Sequence, residues 1–154
     1  MRIAERPGLP RIIAAVLAHS GDSWFWWLGL AILWWFGNEF WRPWAQTVLF
    51  SIIALAVIVL AAKFTFRRRR PEGEWGKIYR TTDPHSFPSG HAARAALIAV
   101  LAIGLGPCWL AVILCIWMPL VSLARVAMGV HFLSDVLAGT VLGTIAGVSL
   151  LLFL

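Results

Sequence analysis

Residues that could do chemistry fall into three short clusters separated by long apolar stretches. The clusters are Lys63 with Arg70-Pro71, then Pro88-Ser89-Gly90-His91, then Arg125 with His131 and Asp135. Ionisable residues at the ends of membrane-length apolar segments are functional candidates, because a buried charge without a partner is costly. We therefore treat these three clusters as the candidate site.

The Pro88 to His91 cluster suits the start of a helix that faces an anion. Ser89 is a good N-cap, and the N–H groups of Gly90 and His91 would be first-turn donors. An anion fits over such a helix start, Gly90 lets the backbone approach it, and His91 can give it a proton. Taken alone, the tetrapeptide fits plain capping with an interfacial histidine slightly better.

The third cluster suits a nucleophile or base with an orienting partner. His131 and Asp135 are four residues apart, which places them on one face of a helix. A carboxylate there can accept a hydrogen bond from one imidazole nitrogen and leave a lone pair on the other. Arg125 would reach the same point across a turn at Gly129, and its guanidinium matches phosphate oxygens. A polar pair that satisfies itself near the interface is the alternative.

The first cluster lies at the end of an apolar segment. Its plainest interpretation is the positively charged end of a membrane span, whose side chains extend to lipid phosphates. We adopt that interpretation for Arg67, Arg68 and Arg69. Lys63 and Arg70 become candidates for phosphate binding only in combination with the other two clusters.

The composition is that of an integral membrane protein. Of the 154 residues, 60% are hydrophobic and 13% are charged, and the mean hydropathy is +0.82. These values exclude a disordered chain and a water-facing nucleic-acid binder, despite a net charge of +6. A basic excess in a membrane protein indicates loops that face anionic headgroups or a site for an anionic substrate.

The apolar segments predict five membrane spans. A helix rises about 1.5 Å per residue, so crossing a hydrocarbon layer of about 30 Å takes roughly 17 to 25 residues. The uncharged stretch 95–124 is too long for one span, so we place a break at residues 104–107. The predicted spans are 24–40, 45–66, 91–104, 109–125 and one from 131 or 132 to 154, with Asp22 capping the first and a tight turn at 38–43.

The N-terminal segment is predicted to be retained, because its apolar part is short and no cleavage motif follows. Ile12, Ile13, Val16 and Leu17 share one helical face, which indicates a short interfacial helix. A frayed extension of the first span is the alternative. The predicted fold is therefore all-α: a single domain over residues 1–154, built as a polytopic transmembrane bundle of about five spans plus a short N-terminal interfacial helix.

The basic residues predict the orientation. With five spans, nearly all of them lie on the side of the N-terminus, and the opposite side has only Arg42. The positive-inside rule places the basic side, with the candidate site, in the cytoplasm of a multi-pass inner (cell) membrane protein. We discount this signal in part, since some of these cations serve chemistry.

The order and spacing of the three clusters resemble the three-part signature of the type 2 phosphatidic acid phosphatase (PAP2) superfamily. These lipid phosphatases are related to vanadium haloperoxidases and glucose-6-phosphatase. The resemblance runs from Lys63 to Asp135, with six residues between Lys63 and Arg70 and five between Arg125 and His131. One departure is Ala124, where the family usually has Ser before the arginine. Ser122, one turn back, is a possible compensating hydroxyl.

The resemblance implies a role for each matched residue. His131 would attack phosphorus, Asp135 would hold and polarise His131, and His91 would protonate the leaving oxygen. The residues implied in phosphate binding are Lys63, Arg70, Ser89, Gly90 and Arg125.

Two residues, Asp83 and His85, match no part of the signature that can be carried over. We expect His85 and His19 to be loop residues.

The predicted function is hydrolysis of a phosphomonoester or diphosphate of a membrane lipid through a phosphohistidine, without cofactor or metal. Polyprenyl diphosphate, such as undecaprenyl diphosphate, and phosphatidylglycerophosphate are favoured substrates, with phosphatidate and lipid A phosphate as alternatives. A non-catalytic lipid-phosphate binding or transport protein would be favoured if His91, His131 or Asp135 were missing. Metal-dependent hydrolysis is poorly supported, since no paired carboxylates have ligand spacing.

Overall fold

The computed structural model describes residues 8–72 and 83–154, and these residues form six helices and no strand. The helices are α1 (Leu9–Ser20), α2 (Ser23–Phe36), α3 (Trp41–Phe66), α4 (Gly90–Leu105), α5 (Cys108–Ala127) and α6 (Leu133–Phe153). The predicted all-α class is confirmed for this part of the chain.

Three of the helices are long and apolar enough to cross a membrane. They are α3, α5 and α6, with 26, 20 and 21 residues. The other three are shorter, and α2 with 14 residues rises only about 21 Å. The described helices are therefore those of a membrane protein, but their lengths do not establish five spans.

The helix boundaries agree with the predicted breaks at one point and differ at another. As predicted, the chain breaks at 104–107: α4 ends at Leu105 and Pro107 is the N-cap of α5. The predicted turn at 38–43 is displaced to 37–40, so the first predicted span ends four residues early. Asn38 Oδ1 accepts from the backbone N–H of Trp41 at 3.1 Å, and Pro43 lies in the first turn of α3, where proline is tolerated.

The predicted N-terminal helix is present as α1, and it is docked on the bundle. Ala14 and Ala18 are buried, and they pack in one cluster with Ala124, Met128 and Val130 from the end of α5 and the loop that follows it. The small side chains of α1 allow it to lie close to α5. Its opposite face carries exposed apolar side chains.

The closest helix packing joins α4 to a glycine face of α6, formed by Gly139, Gly143 and Gly147. These residues are four apart and therefore lie on one side of the helix. A Cβ atom on Gly143 would overlap the carbonyl oxygen of Ala93, and one on Gly139 would overlap that of Ser89. Small residues at this spacing let two membrane helices approach backbone to backbone. The contact brings the start of α4 to the start of α6.

We predict that Gly143→Ala destabilises the protein, whereas Gly29→Ala does not. The methyl group at Gly143 would meet the α4 backbone, which cannot move aside like a side chain, and such overpacking costs about 1–3 kcal/mol. An added Cβ at Gly29 in α2 meets nothing within 4 Å, so this variant controls for the loss of glycine from a helix. Thermal unfolding of both variants in the same detergent measures the effect. Equal melting temperatures would contradict the prediction.

Candidate active site

The three clusters meet at one end of the bundle. A cavity of about 360 Å³ is lined by residues from each of the three clusters, namely Lys63, His91 and His131, together with Asp83 and Arg94. Residues nearly seventy positions apart in sequence therefore share one space. The cavity combines buried cations with both predicted catalytic histidines.

His131 is buried, and its two ring nitrogens have different partners. Nδ1 lies 2.8 Å from the carbonyl oxygen of Ser86, and Nε2 lies 3.3 Å from Nη1 of Arg70. A carbonyl only accepts and a guanidinium only donates, so we assign the hydrogen to Nδ1 and the lone pair to Nε2. This tautomer points the lone pair towards the cations, as a nucleophile requires.

Asp135 does not make the hydrogen bond to His131 that the spacing predicted. Its Oδ2 lies 3.7 Å from Nδ1 of His131, which is too long for a hydrogen bond. The predicted hydrogen bond is absent because α6 begins at Leu133 and His131 precedes it. The two side chains are still adjacent, and the prediction that Asp135 holds and polarises His131 stays a prediction. Asp135 instead accepts from the backbone N–H of Phe132 at 2.9 Å, as a residue in the first helical turn does.

Arg68 is a partner of Asp135, and the prediction that it extends to lipid phosphates was wrong. Its Nη1 donates to Asp135 Oδ1 at 2.8 Å and to Ser134 Oγ at 2.7 Å. Its guanidinium also lies 4.3 Å from the ring centre of Phe132. The chain turns after α3 through a left-handed residue, Arg67 (φ 47°), which redirects Arg68 towards the site. No spacing in the sequence indicated this pair.

The segment after α3 also fixes the partner of His131. The backbone N–H of Ser86 donates to the carbonyl of Arg68 at 2.8 Å, and Arg69 pairs with His85 in an isolated antiparallel bridge. These contacts hold the carbonyl of Ser86 against the imidazole. Backbone groups have no sequence signature, so sequence reasoning missed this interaction.

Lys63 and Arg70 are buried and both contact Asp83. Arg70 donates from Nη2 to Asp83 Oδ2 at 2.8 Å and from Nε to the Asp83 carbonyl at 2.7 Å. Lys63 donates to the same Oδ2, and to the carbonyl of His85 at 3.2 Å. The carboxylate of Asp83, to which the sequence assigned no role, therefore bridges two of the predicted phosphate ligands.

Arg125 adds a third cation beside His131. It is 1% exposed, and its carbonyl accepts from the backbone N–H of His131 at 3.4 Å across the predicted turn, where Gly129 has a φ of 66°. Burial, together with the positive charges of Arg125, Arg70 and Lys63, lowers the pKa of His131 to about 4. Its imidazole is therefore neutral at pH 7.

The start of α4 agrees with its predicted cap. Ser89 is the N-cap, is fully buried, and its Oγ accepts from the backbone N–H of Ala92 at 3.5 Å. Its own N–H donates to the carbonyl of Asp135 at 2.9 Å. Gly90 follows it and lines the cavity. The first-turn N–H groups thus lie beside the cationic residues.

His91 contacts a carboxylate that the sequence had assigned to capping. Asp22 is the N-cap residue of α2, but its side chain makes no capping bond, and its Oδ1 lies 2.6 Å from His91 Nε2. Its Oδ2 lies 3.1 Å from Nδ1 of His19, which belongs to the last turn of α1 and not to a loop. Burial raises the pKa of Asp22, but the hydrogen bonds and charges of the two histidines lower it to about 2. Asp22 is therefore ionised at neutral pH.

The alanine that precedes Arg125 lies under α1. Ala124 is buried against Ala14 and Ala18, so the position where the family usually has a hydroxyl is packed with apolar groups. Among the residues that the structure describes, the buried Oγ of Ser122 has no hydrogen-bond partner. Compensation by Ser122 stays a prediction.

Two curated proteins are similar in sequence. A decaprenylphosphoryl-5-phosphoribose phosphatase from Mycobacterium tuberculosis is 33% identical over 149 residues, which cover 94% of this chain and 80% of that protein. An undecaprenyl-diphosphatase from Sulfolobus acidocaldarius is 33% identical over 102 residues, which cover 64% of this chain and 49% of that protein.

Two solved structures are similar in fold. A transmembrane PAP2 type phosphatidylglycerolphosphate phosphatase from Bacillus subtilis matches with a TM-score of 0.77 and 24% identity, over 96% of this chain and 78% of that one. Aquifex aeolicus LpxE matches with a TM-score of 0.76 and 25% identity, over 97% and 88%.

The family assignment follows from the sequence match. The PAP2 superfamily model matches residues 44–154, a range that contains all three clusters and most of the chain. The chain therefore belongs to the PAP2 superfamily, the family that the spacing of its three clusters resembled.

Proposed function

We propose that this protein hydrolyses a phosphomonoester or diphosphate of a membrane lipid, with His131 as the nucleophile. The observation that carries the proposal is the buried, neutral imidazole of His131. Its Nε2 lone pair faces Arg70 while the Ser86 carbonyl holds its other nitrogen. The relatives support the reaction, since both curated proteins are named as phosphatases of polyprenyl lipids.

In the proposed reaction, Lys63, Arg70 and Arg125 neutralise the phosphate, together with the first-turn N–H groups of α4. Nε2 of His131 attacks phosphorus and forms a phosphohistidine, which water then hydrolyses. The cations and amide donors can stabilise the transition state without a metal ion. Within residues 8–72 and 83–154, no three His, Cys, Asp or Glu residues are grouped to hold one.

The proposed role of Asp135 is electrostatic and positional. Its carboxylate, 3.7 Å from Nδ1, stabilises positive charge on His131 as the N–P bond forms. Its bond to the Phe132 N–H holds the short segment that carries His131, and Arg68 keeps the carboxylate in place. The Ser86 carbonyl, and not Asp135, sets the tautomer.

The proposed substrate is a lipid because the cavity continues into an apolar wall. Below the cations it is lined by side chains of α3, namely Ile52, Leu55, Val59, Leu60 and Phe64. A phosphate headgroup would bind the cations while the first carbons of its tail contact this wall. We favour a phosphate or diphosphate carried by a polyprenyl lipid, because one of the curated relatives is named for undecaprenyl diphosphate and the other for a phosphoribose on decaprenyl phosphate. Phosphate release from a panel of purified lipid phosphates and diphosphates tests this proposal, and binding without release would indicate a transport or binding protein.

We also propose that the chain is one domain with five spans, α2 to α6, in the inner membrane, with the site on the cytoplasmic side. α2 packs against α3, and α4 lies against both α5 and α6, so the two short helices continue the bundle. The arginine run that follows α3 supports a cytoplasmic position of the site.

Replacement of His131 and replacement of His91 are predicted to reduce activity in different ways. His131→Ala should abolish turnover and any acid-labile phosphoenzyme, because no side chain remains to accept the phosphoryl group. His91→Ala should lose about 100- to 1,000-fold but keep more activity on diphosphates, since phosphate is a better leaving group than an alkoxide. Rapid acid quenching with radiolabelled substrate measures both. Label found on His91, or turnover by His131→Ala, would show that the roles are wrong.

Asp83→Asn is predicted to strengthen phosphate binding. The Asp83 carboxylate bonds Lys63 and Arg70, so an incoming phosphate must displace it. Removal of its charge should therefore lower KM by about tenfold, and the inhibition constant of the phosphate analogue vanadate by the same factor. Glu39→Gln removes an equal charge from the exposed α2–α3 turn and should change neither constant. A higher KM for Asp83→Asn would mean that Asp83 positions the two cations for the substrate.

The proposed topology predicts where reporters are active. With five spans and a cytoplasmic N-terminus, fusions after Leu154 and insertions at 38–39 should place a reporter outside the cytoplasm. A fusion before residue 1 should place it inside. A cytoplasmic signal from the fusion after Leu154 would refute either the span count or the orientation.

A further inference from the structure

We propose that Asp22, in the turn between α1 and α2, is a positioning residue for the proton donor His91. The inference rests on the proposed function, because it assigns a helper to one step of that reaction. Asp22 lies outside residues 44–154, the range matched by the family. The protein would then use two histidines, each oriented by its own oxygen partner.

The geometry is that of a carboxylate that orients an imidazole. Asp22 Oδ1 lies 2.6 Å from His91 Nε2, and its other oxygen lies 3.1 Å from Nδ1 of His19. Both carboxylate oxygens are thus engaged, so the group cannot rotate freely. A hydrogen bond to Nε2 holds the ring and leaves Nδ1 for proton exchange with the substrate.

The turn that carries Asp22 is fixed against two other helices. A Cβ on Gly21 would lie 3.1 Å from Cδ2 of His91, so the turn passes directly over the imidazole. The Gly21 carbonyl accepts from Nη1 of the buried Arg94, and Ser20 Oγ accepts from Nε1 of Trp117 at 2.9 Å. The contact of Gly21 with Arg94 holds Asp22 in position over the start of α4, whereas the Ser20 bond joins the end of α1 to α5.

The charges around His91 explain the need for a carboxylate. Desolvation of the His91 ring opposes an imidazolium most strongly, and the positive charges of Arg125 and of Arg94, one turn further along α4, oppose it further. Asp22 supplies the opposing negative charge at hydrogen-bonding distance. Asp22 therefore offsets part of this opposition and favours the protonated ring during proton transfer.

The proposed steps balance. The His91 imidazolium gives its Nδ1 proton to the leaving oxygen as the P–O bond breaks and the bond from phosphorus to His131 Nε2 forms. Neutral His91 then takes a proton from the attacking water as the new P–O bond forms and the P–N bond breaks. Asp22 stays ionised and keeps the Nε2 hydrogen bond through both steps.

The test compares two phosphate monoesters whose leaving groups differ in their need for a proton. Dodecyl phosphate releases an alkoxide, which requires protonation, and 4-nitrophenyl phosphate releases a phenolate, which does not. The variants of the full-length protein are Asp22→Asn, His91→Ala, the double variant, and Ser20→Ala as a control that disturbs the same turn but keeps the carboxylate. Melting temperatures are measured alongside kcat and KM.

We expect Asp22→Asn to lower kcat on dodecyl phosphate by about 30-fold or more. The same variant should lower kcat on 4-nitrophenyl phosphate by less than about threefold, and KM should be unchanged for both substrates. The double variant should be no slower than His91→Ala, because Asp22 acts only through His91. Ser20→Ala should show no dependence on the leaving group. If Asp22→Asn does not fold, Asp22→Glu, which keeps the charge but moves it, should show a smaller loss with the same selectivity.

The inference would be overturned, while the proposed function stands, if Asp22→Asn lost equal activity on the two substrates. It would also be overturned if the double variant were slower than His91→Ala by the full effect of Asp22→Asn. A wild-type protein that releases phosphate from neither substrate nor from any lipid phosphate would overturn the proposed function itself, and this inference with it.

Discussion

The backbone contact between α4 and the glycine face of α6 is the constraint on which the site depends. Where Gly139 and Gly143 leave no side chain, the carbonyls of Ser89 and Ala93 take the space. The same approach lets the Ser89 N–H bond the carbonyl of Asp135. One methyl group in this contact would separate the start of α4 from the segment that carries His131. Packing within the bundle therefore determines the distance between two parts of the site.

Charge compensation organises the rest of that end of the bundle. Asp135 is paired with Arg68, and Lys63 and Arg70 share Asp83, while Asp22 lies between two histidines. Asp135, Lys63 and Arg70 are buried, so removing the partner of any of them leaves a charge that the interior solvates poorly. A cationic pocket can thus be maintained near a membrane because nearby carboxylates balance it. In the proposed reaction, an entering phosphate would take the place of Asp83, since both present oxygens to Lys63 and Arg70.

The N-terminal segment belongs to this arrangement, although it lies outside the matched family range. The alanines of α1 let it pack on α5 at Ala124, and its final turn carries His19 and leads to Asp22. An alanine before Arg125, where the family usually has Ser, fits this packing, because Ala124 lies among apolar side chains. The helix predicted to lie in the interface thus also leads into the turn that carries Asp22, the partner of His91.

The sequence by itself determined the membrane class, the helical fold, the break at 104–107 and the three clusters, since hydropathy and spacing are local properties. It could not determine the partners of those clusters. The bonds from Arg68 to Asp135 and from Asp22 to His91 join residues 67 and 69 positions apart, and no periodicity relates them. The four-residue spacing of His131 and Asp135 predicted two adjacent side chains, which lie 3.7 Å apart, but not the missing hydrogen bond, because His131 precedes the helix. No sequence pattern could predict the contact of the Ser86 carbonyl with His131, because every residue has a backbone carbonyl. Only the folded chain decides which carbonyl contacts the imidazole.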